Sequence, residues 1–331
     1  MTHPTHDLLI IGGGPAGAAA AVYAARKRLK TVIITKNWEG QSAFSERIEN
    51  WIGMPAISGA ALSQALRDHV FTYKSQGLET IENDTVTYIK KKRDHFEITT
   101  AEGMSINATA VIITSGSSRR KLTVPGSDRF ENKGIVYCAS CDGPLFAGMD
   151  VVVVGGGNAA FETAAQLEAY AKSVTMLIRG DIKADAVTVD RIKASPIVEI
   201  IQNVDIESIA GESFVQSISY KDKTSEKITE LPVQGVFVEI GSIPNTDFAA
   251  DLVKRDQINR IVINPKNQRT SRHGIWAAGD CTDGLYQQNN IAAGDAVKAI
   301  EDAYQWLHAK NKKSADTIKA STDLKDEVIS H

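Results

Sequence analysis

The sequence predicts an α/β chain of two three-layer domains, the second inserted into the first. Three observations predict it. A strand–glycine turn–helix–strand unit opens the chain, and the same unit recurs from residue 149 onward. Near the C-terminus, "GIWAAGDCTDGLYQQNNIAAGDAVKAIEDAYQWL" closes a short strand with Ala278-Gly279-Asp280 and starts a long helix near Asn290. A length of 331 residues suits two domains of ordinary size.

The first unit reads "DLLIIGGGPAGAAAAVYAARKRLKTVIIT". Asp7 to Ile11 is a continuous apolar run, as expected of a strand buried on both faces. Gly12, Gly14 and Gly17, with Pro15 and Ala16 between them, give the GxGxxG spacing. The first glycine makes the tight turn, the second admits a pyrophosphate to the backbone, and the third lets helix pack on strand. The alanine-rich helix then points its N-terminus at phosphate charge, and Arg26, Lys27 and Arg28 suit its C-terminal end.

The second unit, "MDVVVVGGGNAAFETAAQLEAYAKSVTMLI", carries Gly155, Gly157, Asn158 and Ala160 in the GxGxxA form. A helix is expected from Ala159 to Ala171 and a strand from Val174 to Ile178. Together the units predict two Rossmann-like nucleotide-binding domains. In the C-terminal segment, an aspartate that closes a strand just before a helix can accept hydrogen bonds from a polyol such as the ribitol of a flavin. By itself Asp280 reads as a helix cap; with the N-terminal fingerprint, the polyol reading is preferred.

Two polar, turn-rich stretches, 114–128 and 239–248, mark crossings between the domains. The first domain is therefore split, over 1–116 and 246–310, and 117–245 is inserted. Residues 79–113 read as short alternating strands decorating the first domain, and 197–238 as a similar meander in the second. Residues 311–331 are polar without apolar period and are expected to form a tail.

Composition excludes several classes. A net charge of −3 gives no reason to expect nucleic acid or an anionic membrane as partner. No stretch approaches the roughly 20 apolar residues of a membrane span, and "MTHPTHDLLIIGGG" does not read as a signal peptide. A cytoplasmic location is expected. Only three cysteines occur, Cys138, Cys141 and Cys281, too few for a disulfide scaffold.

Cys138 and Cys141 lie in "YCASCDG". A C-x2-C half-site for zinc needs two further ligands, and the seven histidines show no second pair at zinc-finger spacing. No metal is expected. Thiol redox fits better, because two thiols at this spacing close a small ring and one can be activated as thiolate. Asp142, directly behind the pair, can deliver the proton that thiolate departure requires. Cys281 reads as a small buried residue.

Several of these motifs, in this order, resemble the low-molecular-weight thioredoxin reductase family of flavoproteins. They are "GGGPAG", Gly40-Gln41, "IENW", "CASCDG", "GGGNAA", "GSIPNT" and "WAAGD" with "YQQ", spread over nearly all of residues 6–310. About 14 residues separate Cys141 from Gly155, as in that family. The resemblance implies FAD in the split domain, held by Gly12, Gly14, Pro15, Ala16, Gly17, Gly40, Gln41, Asn50, Val86, Gly279, Asp280, Gln287, Gln288 and Asn289. It implies a pyridine nucleotide at Gly155, Gly157, Asn158, Ala160 and Arg179. Cys141 would meet the flavin, Cys138 would attack the substrate disulfide, and Asp142 would manage the proton. A homodimer, domain rotation about the crossings, and thioredoxin or a similar protein as acceptor are also implied.

The donor stays open. Family members that use NADPH carry H-R-R-x-x-x-R after the second strand of the inserted domain, since guanidinium forks bind a 2′-phosphate bidentately. Here the stretch is "IRGDIKA": Ile178, Gly180 and Ala184 depart, Arg179 remains, and Lys183 is nearby. The flavin domain's second strand also ends without an acid at its tip, and position 287 is Gln where the family commonly has Arg. NADPH, NADH and ferredoxin all remain as donors. A flavin-dependent dithiol oxidase using oxygen and a non-catalytic flavoprotein sensor remain as alternative functions.

Overall fold

The computed structural model describes residues 6–45 and 47–329, with side chains described through residue 310 apart from that of Phe44. The chain divides into two compact units. Unit 1 holds Met1–Ala43, Ala60–Ser117 and Pro244–His331; unit 2 holds Phe44–Gly59 and Ser118–Ile243.

Unit 1 is built on a seven-stranded sheet. Strand β1 (His6–Ile11) is central because its apolar run is buried on both faces. Helix α1 (Pro15–Arg26) follows, buried along its alanines, and β2 (Thr31–Thr35) returns parallel to β1. Arg28 turns the chain between them with φ of 59°. Helix α2 (Gly59–Phe71) leads to β3 (Leu78–Glu82), parallel to β2. Then β4 (Val86–Lys91), β5 (Phe96–Thr100) and β6 (Ser105–Ile113) run antiparallel in turn. Strand β6 is long enough to serve twice. Its first half pairs with β5, and its second half pairs in parallel with a strand from the far end of the chain.

The chain leaves through β7 (Ser117–Arg119). In unit 2, α3 (Ser127–Phe130), β8 (Ile135–Val136) and α4 (Ala139–Asp142) precede β9 (Asp150–Val154). The second glycine turn, α5 (Asn158–Leu167), β10 (Ser173–Ile178), α6 (Ala186–Lys193) and β11 (Val198–Gln202) follow. Helix α5 stops at Leu167, short of the expected Ala171. The chain turns there, so that the Tyr170 carbonyl accepts the Gly148 N–H at 2.8 Å. A three-stranded antiparallel layer comprises β12 (Val204–Gly211), β13 (Val215–Asp222) and β14 (Ile228–Pro232). Strand β15 (Gly235–Val238) then completes a parallel sheet of order β11-β10-β9-β15-β8.

The return strand β16 (Ser242–Pro244) pairs with β7, so the two crossings form one two-stranded ribbon. Strand β17 (Ile275–Ala277) fills the outer edge of β6, and α7 (Asn289–Ile329) closes unit 1. Residues 311–329, expected as a tail, continue this helix. Alanines of α7 (Ala292, Ala296, Ala299, Ala303) join those of α1 in one core, where small side chains permit close approach. No described helix is long and apolar enough to cross a membrane.

Candidate functional site: two glycine cradles and a redox loop

The crevice of unit 1 lies beyond the C-terminal ends of β1, β6 and β17, where the strand order reverses, the usual ligand position in such sheets. A Cβ on Gly17 would stand 1.8 Å from the Gly12 carbonyl oxygen, and one on Gly12 2.4 Å from that of Thr114. A Cβ on Gly14 meets no described atom within 4 Å. The outer glycines thus permit the packing, and the middle one opens onto space where a phosphate can approach backbone N–H groups. No described side chain caps α1, which leaves its first N–H groups pointing there.

Other segments meet the same crevice. Gly40, with φ of 56°, lies close to Gly14 and Pro15. The Gln41 amide donates to Asp280 Oδ2 at 3.1 Å and to Ser117 Oγ at 3.0 Å. Ser42 Oγ donates to Asn289 Oδ1 at 2.9 Å, where α7 begins. Gly279, with φ of 78°, fits beneath Ala16 and Ala292. The structure therefore brings Gly12–Gly17, Gly40, Gln41, Gly279, Asp280 and Asn289 together. This set suits a long phosphorylated ligand with a polyol, and FAD fits it. Gln288 opens α7 with its carbonyl accepting the Ala292 N–H, while Gln287 is exposed. Val86 is different: its side chain is buried in the core with Leu9 and Ile113. Asn50 lies in the segment grouped with unit 2. Cys281 is fully buried and donates weakly to the Ala278 and Ile113 carbonyls. Burial pushes its thiol up to about 11, so it stays a thiol at neutral pH.

Unit 2 repeats the cradle. Gly155 has φ of 144°, and a Cβ there would stand 2.3 Å from the Glu239 carbonyl oxygen. Gly157 opens onto space as Gly14 does, and Ala160 is buried beneath the turn. Asn158 is engaged with Asp185: its Oδ1 accepts the Asp185 N–H at 2.8 Å and its amide donates to Asp185 Oδ2 at 3.0 Å. At the tip of β10, Arg179 pairs with Asp205 at 3.1 Å, and the Arg179 carbonyl accepts from Lys223. Ile178 is buried in the core, facing Gly156, so it offers no donor to a ligand.

The redox loop belongs to the same unit. Cys138 and Cys141 are joined as a disulfide with Cα atoms 5.3 Å apart. Cys138 is extended, and its carbonyl accepts the N–H of Cys141 and of Asp142, which winds the short helix α4. Ser140 Oγ donates to Gln166 Oε1 at 2.7 Å, fastening α4 to α5. Both cysteines are half-buried, and Asp142 is buried. Before the pair, Tyr137 donates to Glu131 at 2.9 Å; burial first, then that carboxylate, holds its phenol well above the ordinary range.

Sequence reasoning missed Glu239 and Arg119. The Glu239 side chain is only 12% exposed, accepts from Thr163 Oγ1 at 2.9 Å and faces Arg119 Nη1 at 3.8 Å. Burial pushes it up from 4.5 to about 7, against the opposing pull of Arg119 and Thr163. An acid in polar "VEIGSIPNT" gives no sequence signal of burial; only the sheet order places it beside Gly155. A consequence follows for stability. Between about pH 4.5 and 7 the folded chain keeps a proton that the unfolded chain releases, so stability falls as pH rises through this window. Glu239→Gln removes that loss. Urea unfolding should show the variant gaining about 2–3 kcal/mol on the wild type between pH 4.5 and pH 8. An unchanged difference at the two pH values would mean that the carboxyl does not titrate in this range.

A dinucleotide-type cradle that FAD fits, a second such cradle and the Cys138–Cys141 disulfide are the parts of the flavin- and pyridine nucleotide-dependent disulfide oxidoreductase class. The family model for pyridine nucleotide-disulphide oxidoreductases matches residues 6–317, and the chain belongs to that family. Thioredoxin reductase from Streptococcus pyogenes MGAS5005 is 34% identical, with a TM-score of 0.84 over 92% of this chain and 98% of its own. Thioredoxin reductase from Giardia duodenalis is also 34% identical, with a TM-score of 0.85 over 92% of this chain and 100% of its own. Among curated proteins, the NADH dehydrogenase of Bacillus subtilis (strain 168) is 37% identical over 302 residues, which is 91% of this chain and 58% of that protein. An alkyl hydroperoxide reductase component of Escherichia coli (strain K12) is 37% identical over 304 residues, 91% of this chain and 58% of its own length. The chain thus spans less than two thirds of these curated relatives.

Proposed function

We propose that the chain transfers electrons from NADH to a protein disulfide of the thioredoxin type, using FAD in unit 1 and Cys138–Cys141 in unit 2. When bound, FAD supplies two-electron transfer between a reduced donor and a disulfide. The chain's residues do the rest. Gly14 and the N-terminus of α1 bind pyrophosphate, and Asp280, oriented by Gln41, accepts from a polyol. Once the pair is reduced, the Cys138 thiolate attacks the substrate disulfide and expels one substrate thiolate. Cys141 then attacks Cys138 Sγ, releasing the second substrate thiolate and re-forming the ring. The reaction consumes one hydride equivalent and one proton, and to Asp142, buried and adjacent to Cys141 in sequence, we assign the movement of a proton at the cysteine sulfur.

The observation that carries the donor assignment is Arg179. Its side chain pairs with Asp205 on the surface, Asp181 follows it two residues on in sequence, and Ile178 is buried. A 2′-phosphate dianion would have to displace that pairing beside carboxylates, whereas a ribose diol carries no charge to be repelled. The likeness to the NADH dehydrogenase of Bacillus subtilis supports the same donor, and the likeness to thioredoxin reductases supports the acceptor.

An anaerobic titration of the flavin spectrum tests this reading. NADH should bleach the flavin at concentrations about tenfold to 100-fold below those needed for NADPH, the scale of one or two charge-assisted contacts. A disulfide substrate should then restore the colour. Preference for NADPH, or reduction only by ferredoxin, would overturn the donor assignment.

A further inference from the structure

We infer that Glu239 and Arg119 form a strut between the glycine turn of unit 2 and its redox loop, with Arg119 a positioning residue for Cys138–Cys141. The path is continuous within one unit. The Glu239 backbone belongs to the turn: its N–H donates to the Val154 carbonyl at 2.8 Å, and its own carbonyl blocks any Cβ on Gly155. Its buried side chain has Oε1 held by Thr163 of α5 and Oε2 facing Arg119 Nη1. That same Nη1 donates to the Tyr137 carbonyl. This carbonyl belongs to the peptide unit that joins Tyr137 to Cys138. One nitrogen therefore faces the acid beside the nucleotide cradle and the backbone entering the disulfide.

Sharing makes the strut responsive to charge. While Glu239 is neutral, the guanidinium serves the Tyr137 carbonyl with its full positive charge. Once Glu239 ionises, its carboxylate competes for Nη1 and offsets that charge. The other charged group acting on Glu239 is Glu162 of α5, which opposes its ionisation. On the Arg119 side stands the Tyr137 phenol, held by Glu131. The ordinary range of a carboxylate would leave Glu239 ionised throughout neutral conditions. Its burial moves the change to about 7, within the working range of thiol exchange. A positive charge over the peptide before Cys138 favours the thiolate and hence the dithiol form. The ionised Glu239 state should hold the pair more firmly as the disulfide.

The test uses the whole flavin-containing protein equilibrated in glutathione redox buffers. Dithiol and disulfide are counted by alkylation and mass spectrometry at about pH 6 and about pH 8.5. Wild type and Glu239→Gln should agree at the lower pH. At the higher pH the variant should show a dithiol-to-disulfide ratio larger by about threefold or more. Arg119→Gln should remove the difference, so that it matches Arg119→Gln/Glu239→Gln at both pH values; Arg119→Lys, which keeps charge without the fork, should restore part of it. Urea unfolding of each variant reports its folding. Equal ratios for wild type and Glu239→Gln at both pH values would overturn the strut, as would an undiminished Glu239→Gln effect without Arg119. This inference rests on the pair exchanging with thiols. A pair that stays oxidised in every buffer would overturn that reading as well, and is distinguished by the absence of any dithiol.

Discussion

Cys141→Ser and Cys138→Ser proteins are expected to lose turnover of a thioredoxin disulfide by a factor on the order of 10³ or more. The reason is geometric. The cysteines are three positions apart with Cα atoms 5.3 Å apart, and the Cys138 carbonyl winds the intervening turn so that the second thiol returns to the first. A thiol held in this way attacks its neighbour far faster than any thiol in solution can. With Cys141 replaced, Cys138 can still form a mixed disulfide with substrate, but nothing within the protein resolves it. The variant should accumulate a covalent adduct that mass spectrometry detects. With Cys138 replaced, no adduct should form on exposure to the oxidised substrate alone. Flavin content should stay at the wild-type level in both, because neither sulfur belongs to unit 1. Turnover within tenfold of wild type in either variant would remove the pair from the electron path.

The second large effect belongs to the glycines. Gly17→Ala should yield protein that holds FAD about tenfold to more than 100-fold more weakly, and so is pale after purification. The new Cβ would stand 1.8 Å from the Gly12 carbonyl oxygen and 3.0 Å from Thr114 Oγ1. That hydroxyl donates to the Ile11 and Gly12 carbonyls, so the methyl cannot be admitted without moving α1 off the end of β1. Gly155→Ala provides the contrast. Its Cβ would stand 2.3 Å from the Glu239 carbonyl oxygen, at a φ of 144° that L residues avoid. This variant should keep its flavin and show a higher KM for NADH. If both variants lost flavin equally, the division of labour between the two cradles would be wrong.

Much of this fold was legible because its central strands are buried on both faces and therefore read as unbroken apolar runs, as in β1, β2 and β9. The glycine turns were legible for a related reason: Gly12 and Gly155 adopt backbone angles that few other residues tolerate. Pairings between distant segments left no such trace. Nothing local in "SSR" or "SIP" says that β7 and β16 lie together, and nothing in "FSERIENWIGMPAISG" assigns it to the inserted unit. Glu239 was invisible because burial of an acid is set by neighbours more than 70 residues away, such as Thr163. Val86, expected at the flavin from the family resemblance, has its side chain buried in the core.

The double use of β6 has a consequence for how the chain reaches this state. Its second half is finished by residue 113, yet the strand that covers it, β17, begins at Ile275. The α7 alanines that pack with those of α1 come later still. During synthesis, the sheet of unit 1 must therefore wait with one edge open while the inserted unit is made, and every backbone pair of the five-stranded sheet in unit 2 is available first. Unit 1, whose sheet is started before the inserted unit is made, is the last to close.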